Sequence, residues 1–71
     1  MTWIALRYRG GEYSARDLID ISTRFLEDTG YDFVKYEIYD DCDLLMITGR
    51  SAAGEEQDFE LSLDELGQYQ G

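Results

Sequence analysis

The 71-residue chain has no histidine, no proline and one cysteine, and it sets only six lysines and arginines against sixteen aspartates and glutamates. Without histidine, a Ser-His-Asp or Cys-His nucleophile, a histidine-ligated zinc and an imidazole pH switch are all excluded. The single cysteine, Cys42, has no partner for an internal disulfide, which fits a reducing compartment. Flanked by Asp41 and Asp43, it is expected to be an ordinary turn or core cysteine and not a reactive thiol. No apolar run of about 18 residues is present to span a membrane, and the N-terminus lacks the basic and long apolar regions of a signal peptide. A cytoplasmic location is expected. The shortage of cations leaves a formal net charge of -10. A chain so charged is repelled by nucleic-acid phosphates and anionic lipid, so direct nucleic-acid binding and membrane binding are excluded and the expected partners are basic or neutral proteins.

At 44% hydrophobic and 14% aromatic, the chain is too apolar for an acidic disordered tail, and one small domain over residues 1–71 is expected to fold. Thr2 to Arg9 alternates, with Ile4, Leu6 and Tyr8 on one side, and predicts a strand. Gly10-Gly11 then reads as a strand-to-helix turn, since it lacks the lysine and serine or threonine of a phosphate loop. Ser14 is an N-cap with Asp17 three residues on, opening a helix from Ala15 to about Asp28. Leu18, Ile21 and Phe25, joined by Ile19, Ser22 and Leu26, give it an apolar stripe, and Gly30 fits the left-handed stop beyond its end.

From Asp32 to Tyr39 the period becomes two, with Val34, Tyr36 and Ile38 opposite Phe33, Lys35, Glu37 and Tyr39. Asp40 to Asp43 forms the turn. Leu44 to Ile47 is apolar on both faces, as in a central strand covered on both sides. A loop from Arg50 to Gly54 leads to a third strand, Glu55 to Leu61, and Ser62 to Glu65 is a capping box opening a short helix near Leu63 to Tyr69. The order β-α-β-β-β-α predicts an α+β two-layer sandwich, with a small, mostly antiparallel sheet, one main helix and a short C-terminal helix. Its last five elements resemble the order of double-stranded RNA-binding domains, but the basic residues those need are missing.

The charge is uneven along the chain. Residues 1–35 hold six acids and five bases, for a charge of -1; residues 36–71 hold ten acids and only Arg50, for -9. Asp20 and Arg24, at i and i+4, can pair on the first helix. The later acids, Glu37, Asp40, Asp41, Asp43, Glu55, Glu56, Asp58, Glu60, Asp64 and Glu65, must crowd one sheet and its turns. Carboxylates at i and i+2 on a strand, such as Asp58 and Glu60, lie about 6 to 7 Å apart, and DNA carries a phosphate per roughly 3.4 Å of rise on each strand. A rigid array of this kind presents a nucleic-acid-binding groove with much of the potential it evolved to receive. The plainer alternative is that the acids serve solubility. Phe33, Tyr39, Leu45 and Ile47 are expected on the side of the sheet turned away from the first helix, as aromatic and apolar anchors in a charged rim. Equally, the C-terminal helix could cover that side through Leu63, Leu66 and Tyr69.

No cofactor, metal or catalytic residue is expected. Asp40-Asp41-Cys42-Asp43 fails the EF-hand template, with neither the sixth-position glycine nor the twelfth-position glutamate. Paired carboxylates need a deep cleft to do acid/base work, and a domain this small is not expected to offer one.

In size, negative charge and lack of catalytic or metal motifs, with Glu55, Glu56, Asp58 and Glu60 on an aromatic-bearing scaffold, the chain resembles the phage-encoded small acidic inhibitors. These include anti-CRISPR proteins and anti-restriction DNA mimics. The resemblance covers the whole chain in character and matches no signature motif, so it assigns no role to a numbered residue. It implies a stoichiometric inhibitor, in the cytoplasm of a bacterial host, that occupies the DNA- or RNA-binding site of a defence complex such as a CRISPR surveillance complex. The partner-binding residues expected are the ten later acids with Phe33 and Tyr39, and Tyr69 as a further anchor; the chain would be a monomer or weak homodimer. The alternatives are an assembly module using an apolar sheet face through Tyr39 or Ile47, and an antitoxin-like inhibitor of a basic nuclease.

Overall fold

The computed structural model describes residues 4–69; Thr2 and Trp3 of the predicted first strand, and the terminal Gly71, lie outside that range. Strand β1 (Ile4–Tyr8) turns back into β2 (Gly11–Ser14) as an antiparallel hairpin. Its two-residue turn is Arg9-Gly10, with φ of 50° and 80°. Left-handed φ at both central positions matches the right-handed twist of paired strands, the geometry that closes the tightest hairpins. The glycine pair thus makes a hairpin and not a strand-to-helix turn, and β2 is an element the sequence did not announce.

Helix α1 spans Ala15–Leu26. Ser14 and Asp17 cap it reciprocally, the Asp17 N–H donating to Ser14 Oγ at 3.1 Å and the Ser14 N–H to Asp17 Oδ2 at 2.9 Å. Leu18, Ile21, Ser22 and Leu26 face inward, and the Ser22 hydroxyl is satisfied within the helix by the Leu18 carbonyl at 2.7 Å. The helix stops two residues before the expected Asp28, where both the Thr29 N–H and its hydroxyl donate to the Leu26 carbonyl and Gly30 turns left-handed at φ 81°. Asp20 and Arg24 do not close to ion-pair distance among the described residues.

The remaining strands, β3 (Asp32–Tyr39), β4 (Leu44–Arg50) and β5 (Glu56–Ser62), form an antiparallel meander in the order β3-β4-β5. A turn of 3-10 helix, Asp40–Cys42, joins β3 to β4, and Asp43 follows it at φ 52°. The chain ends in a second 3-10 helix, Leu63–Gln68, where the Ser62 hydroxyl accepts from the Asp64 N–H at 3.3 Å. That bond replaces the expected capping box to Glu65. The architecture is α+β, with one strand more than the sequence indicated and a 3-10 helix at the C-terminus.

One core joins these parts, built from Leu6 of the hairpin, Leu18, Ile21 and Leu26 of α1, Leu45, Ile47 and Leu61 of the meander, and Leu63 and Leu66. Hairpin, helix and C-terminal 3-10 helix therefore all bury against the same, inner face of the three-stranded sheet. At its margin Phe25 meets Phe59 and Tyr69 edge-on, at 6.1 and 5.6 Å between ring centroids, and Tyr31 meets Phe59 at 5.3 Å. Such edge-to-face contacts add about 0.5–1.5 kcal/mol each beyond area burial. Among the described residues no helix is long and apolar enough to cross a membrane.

Candidate protein-binding face

Which side chains reach the outer face follows from strand register. β4 pairs with β3 as Tyr36↔Ile47, Glu37↔Met46, Ile38↔Leu45 and Tyr39↔Leu44, and with β5 as Leu45↔Leu61, Met46↔Glu60, Ile47↔Phe59 and Thr48↔Asp58. Because side chains alternate across a strand, the inner rows are Tyr36-Ile47-Phe59 and Ile38-Leu45-Leu61. The outer rows are Tyr39-Leu44-Ser62, Glu37-Met46-Glu60 and Lys35-Thr48-Asp58, followed by Arg50-Glu56.

A bulge between Phe33 and Lys35 shifts this register once. Phe33 then pairs with Gly49 on the inner side and lies against Tyr36, with ring centroids 6.5 Å apart, while Val34 is exposed. The expected facing of both residues is thereby reversed, and Phe33 is a margin of the core instead of a partner anchor. Leu45 and Ile47, expected outside, are fully buried inside. Tyr69 packs on Phe25 and is likewise an inner residue. The C-terminal 3-10 helix does not cover the outer face, since Leu63 and Leu66 belong to the same core as α1. Among the described residues the central strand is thus covered on one side only; on the other, Leu44 and Met46 are partly exposed and Thr48 is buried among its neighbours.

The outer face that remains is apolar at Leu44 and Met46 of β4 and acidic along β5, while β3 sets Glu37 beside Lys35 and Tyr39. Adjacent strands lie about 4.8 Å apart, so Glu37 on β3 and Glu60 on β5 stand roughly 10 Å apart with Met46 between them. Several groups there are held in place. The Thr48 hydroxyl donates to Asp58 Oδ1 at 2.8 Å, and the Tyr39 hydroxyl donates to Glu37 Oε2 at 3.1 Å. Tyr39 itself is 43% exposed. The bond to Glu37, with the charge of Glu37, slight burial and the charge of Asp58, raises the Tyr39 phenol above its ordinary value of 10.0.

The sheet end beyond Tyr39 and Leu44 carries a second acidic group. The Leu63 N–H donates to the Asp43 carbonyl at 2.9 Å, which ties the Asp40–Asp43 turn to the start of the C-terminal 3-10 helix and so to Asp64 and Glu65. Asp64 faces the hairpin: it takes Arg9 at 3.0 Å and the Tyr8 hydroxyl at 3.2 Å. Burial against the core raises the Tyr8 phenol, the bond to Asp64 and the charges of Asp43 and Asp64 raise it further, and Arg9 opposes them. Cys42 is exposed on this turn. Among the described residues no three acidic or thiol groups converge as a metal site requires.

Of the twelve residues expected at the site, Glu37, Tyr39, Glu56, Asp58 and Glu60 share the outer face, and Asp40, Asp41, Asp43, Asp64 and Glu65 gather at its end. Glu55 stands at the opposite end, in the loop closed by Ser51, and Phe33 is turned inward. Cations meet three of the ten acids: Lys35 lies 3.5 Å from Glu37, Arg50 pairs with Glu56, and Arg9 pairs with Asp64. The other seven have no cation within ion-pair distance among the described residues. Leu44 and Met46, the apolar floor of the face, escaped sequence reasoning because Leu44 to Ile47 is apolar at both parities; Thr48 beside them is buried. Compared with known protein families, curated proteins and solved structures, the chain matches none.

Proposed function

We propose that this chain is a stoichiometric protein inhibitor that acts by nucleic-acid mimicry. Its acidic face would occupy the DNA- or RNA-binding site of a basic host defence complex, such as a CRISPR surveillance complex, in the cytoplasm of a bacterial host. The observation that carries this is the sheet face, uncovered among the described residues, on which Glu37, Asp58 and Glu60 surround Met46, continued at one end by Asp40, Asp41, Asp43 and Glu65. A folded scaffold fixes these charges, so little ordering entropy opposes binding, and opposite charges steer the encounter. Tyr39 and Met46 supply apolar contact inside the charged rim, the usual anatomy of a protein interface.

The test is a pull-down from bacterial lysate eluted by a salt gradient, run with the native chain and with Asp58→Lys plus Glu60→Lys. Both substituted positions are exposed, so the variant keeps its core. Mimicry requires that a basic nucleic-acid-binding partner elute early in salt and be lost by the variant. Retention of only neutral or acidic proteins would refute it.

A second function is favoured by the partly exposed Leu44 and Met46 beside Tyr39, which suit an assembly module that docks through apolar contact. In that case Tyr39→Ala weakens binding more than charge reversal does, and salt changes little. Ile47, named above for this role, has no exposed surface to offer.

A further inference from the structure

The meander has two edges, and they are guarded differently. On β3 a bulge at Val34 and the adjacent Lys35 interrupt the outer edge, two of the devices by which sheets prevent edge-to-edge pairing. β5 has neither: its seven residues pair with β4 in unbroken register, without a bulge or a lysine, and the chain contains no proline to blunt it.

Two bonds at the ends of the β4–β5 hairpin fix which backbone groups of β5 are spent. The Ser51 N–H donates to the Glu55 carbonyl at 2.8 Å, and the Leu63 N–H to the Asp43 carbonyl at 2.9 Å. Both belong to one parity of the ladder, in which alternate residues exchange bonds with the neighbouring strand. Gln57, Phe59 and Leu61 therefore bond inward to β4, and the N–H and C=O groups of Glu56, Asp58 and Glu60 point to the open edge. These three residues, whose backbone groups meet no further strand among the described residues, also carry the carboxylates of β5 on the outer face.

We propose that the β5 edge accepts an extended basic segment of the partner as a fourth strand. The inference rests on the reading of the acidic face as a surface for a basic protein and names the element that docks there. The ligand is a segment of about six or seven residues with lysine or arginine at every second position and apolar or small residues between. Its cations oppose Glu56, Asp58 and Glu60 at the cross-strand separation of about 4.5–5.5 Å between β-carbons. Its alternate residues extend the inner rows of Gln57, Phe59 and Leu61. A second copy of this chain does not suit the edge, because pairing β5 with itself sets carboxylates against carboxylates.

The test uses the 71-residue chain and a seven-residue peptide alternating lysine with valine, beginning and ending in lysine. The control has the same sequence N-methylated on the backbone nitrogens of its third and fifth residues, which keeps every charge and removes the N–H groups of the two lysines that would pair with β5. Binding is followed by titration, and amide hydrogen exchange by NMR. Addition of the alternating peptide is expected to slow exchange at Glu56, Asp58 and Glu60 at least tenfold, and the control to bind at least tenfold more weakly. Equal binding of both peptides with those three amides still fast would overturn the edge assignment while leaving the acidic face as a charge-matched surface. No binding of the alternating peptide would also overturn it. So would protection of the same amides in the concentrated free protein, which would mean that a second copy fills the edge. Mimicry itself is decided separately, by the salt elution of the lysate partner.

Discussion

At the scale of single residues, Tyr39 reports on the negative field around it, and Tyr8 on its burial and its bond to Asp64. The Tyr39 hydroxyl donates to Glu37, and ionising the phenol would both break that bond and set two negative charges together. The folded-state phenol therefore ionises above 10.0, whereas in the unfolded chain it returns to about 10. The stabilisation from the neutral phenol is complete below that value and is lost as pH rises through the folded-state one, because the unfolded chain gives up its proton first. Stability should thus decline from about pH 10 upward, by this group and by Tyr8 in the same sense. Phenolate absorbance gives a sharper check. Glu37→Gln should move one tyrosine to a lower titration midpoint, and a curve identical to that of the native protein would show that the carboxylate does not control it.

At the scale of elements, local signals were legible and long-range ones were not. Ser14 with Asp17 announced the helix start because a cap is complete within four residues, and alternation placed Lys35, Glu37, Tyr39, Asp58 and Glu60 on the outer side correctly. The bulge at Val34 left no mark, since Phe33 and Val34 are both apolar and either could face the core. For the same reason the facing of β4 was hidden in Leu44 to Ile47. The pairing of Asp64 with Arg9 joins residues far apart in sequence and has no local trace. Substitution at the elements should follow these distinctions. Ser14→Ala removes the side-chain half of a cap and should cost about 1 kcal/mol in urea unfolding. Gly49 is more demanding: a β-carbon there would stand 2.8 Å from Tyr31 Cβ and 3.3 Å from a Leu26 methyl. α1's end and the chain entering β3 close over this point, so Gly49→Ala should cost about 1–3 kcal/mol. Equal midpoints for native and Gly49→Ala proteins would mean that the helix end shifts freely.

For the whole molecule, Leu6, α1 and the C-terminal 3-10 helix fill one side of the meander. Glu37, Glu56, Asp58 and Glu60 lie on the other side with five later acids at one end, while Glu12, Asp17, Asp20, Glu27 and Asp28 belong to the hairpin, α1 and its end. The net charge of -10 then acts on folding and on binding with opposite signs. Within the free protein, carboxylates without cations repel one another in the compact state more than in the expanded chain. Raising ionic strength shortens the Debye length from about 30 Å at 0.01 M to about 8 Å at 0.15 M, which screens that repulsion. The melting temperature should therefore rise over this range, because the ion pairs of Arg7, Arg9, Lys35 and Arg50 are exposed and little is lost when they are screened. Attraction to a basic partner is screened by the same ions, and its association rate should fall steeply. Thermal melts and binding kinetics measured across one salt series would separate the two. A protein whose melting temperature falls with salt would owe its stability to the surface pairs. A complex indifferent to salt, with the melting temperature rising as expected, would show that the acids strain the fold without drawing the partner, and would shift the function to Leu44, Met46 and Tyr39.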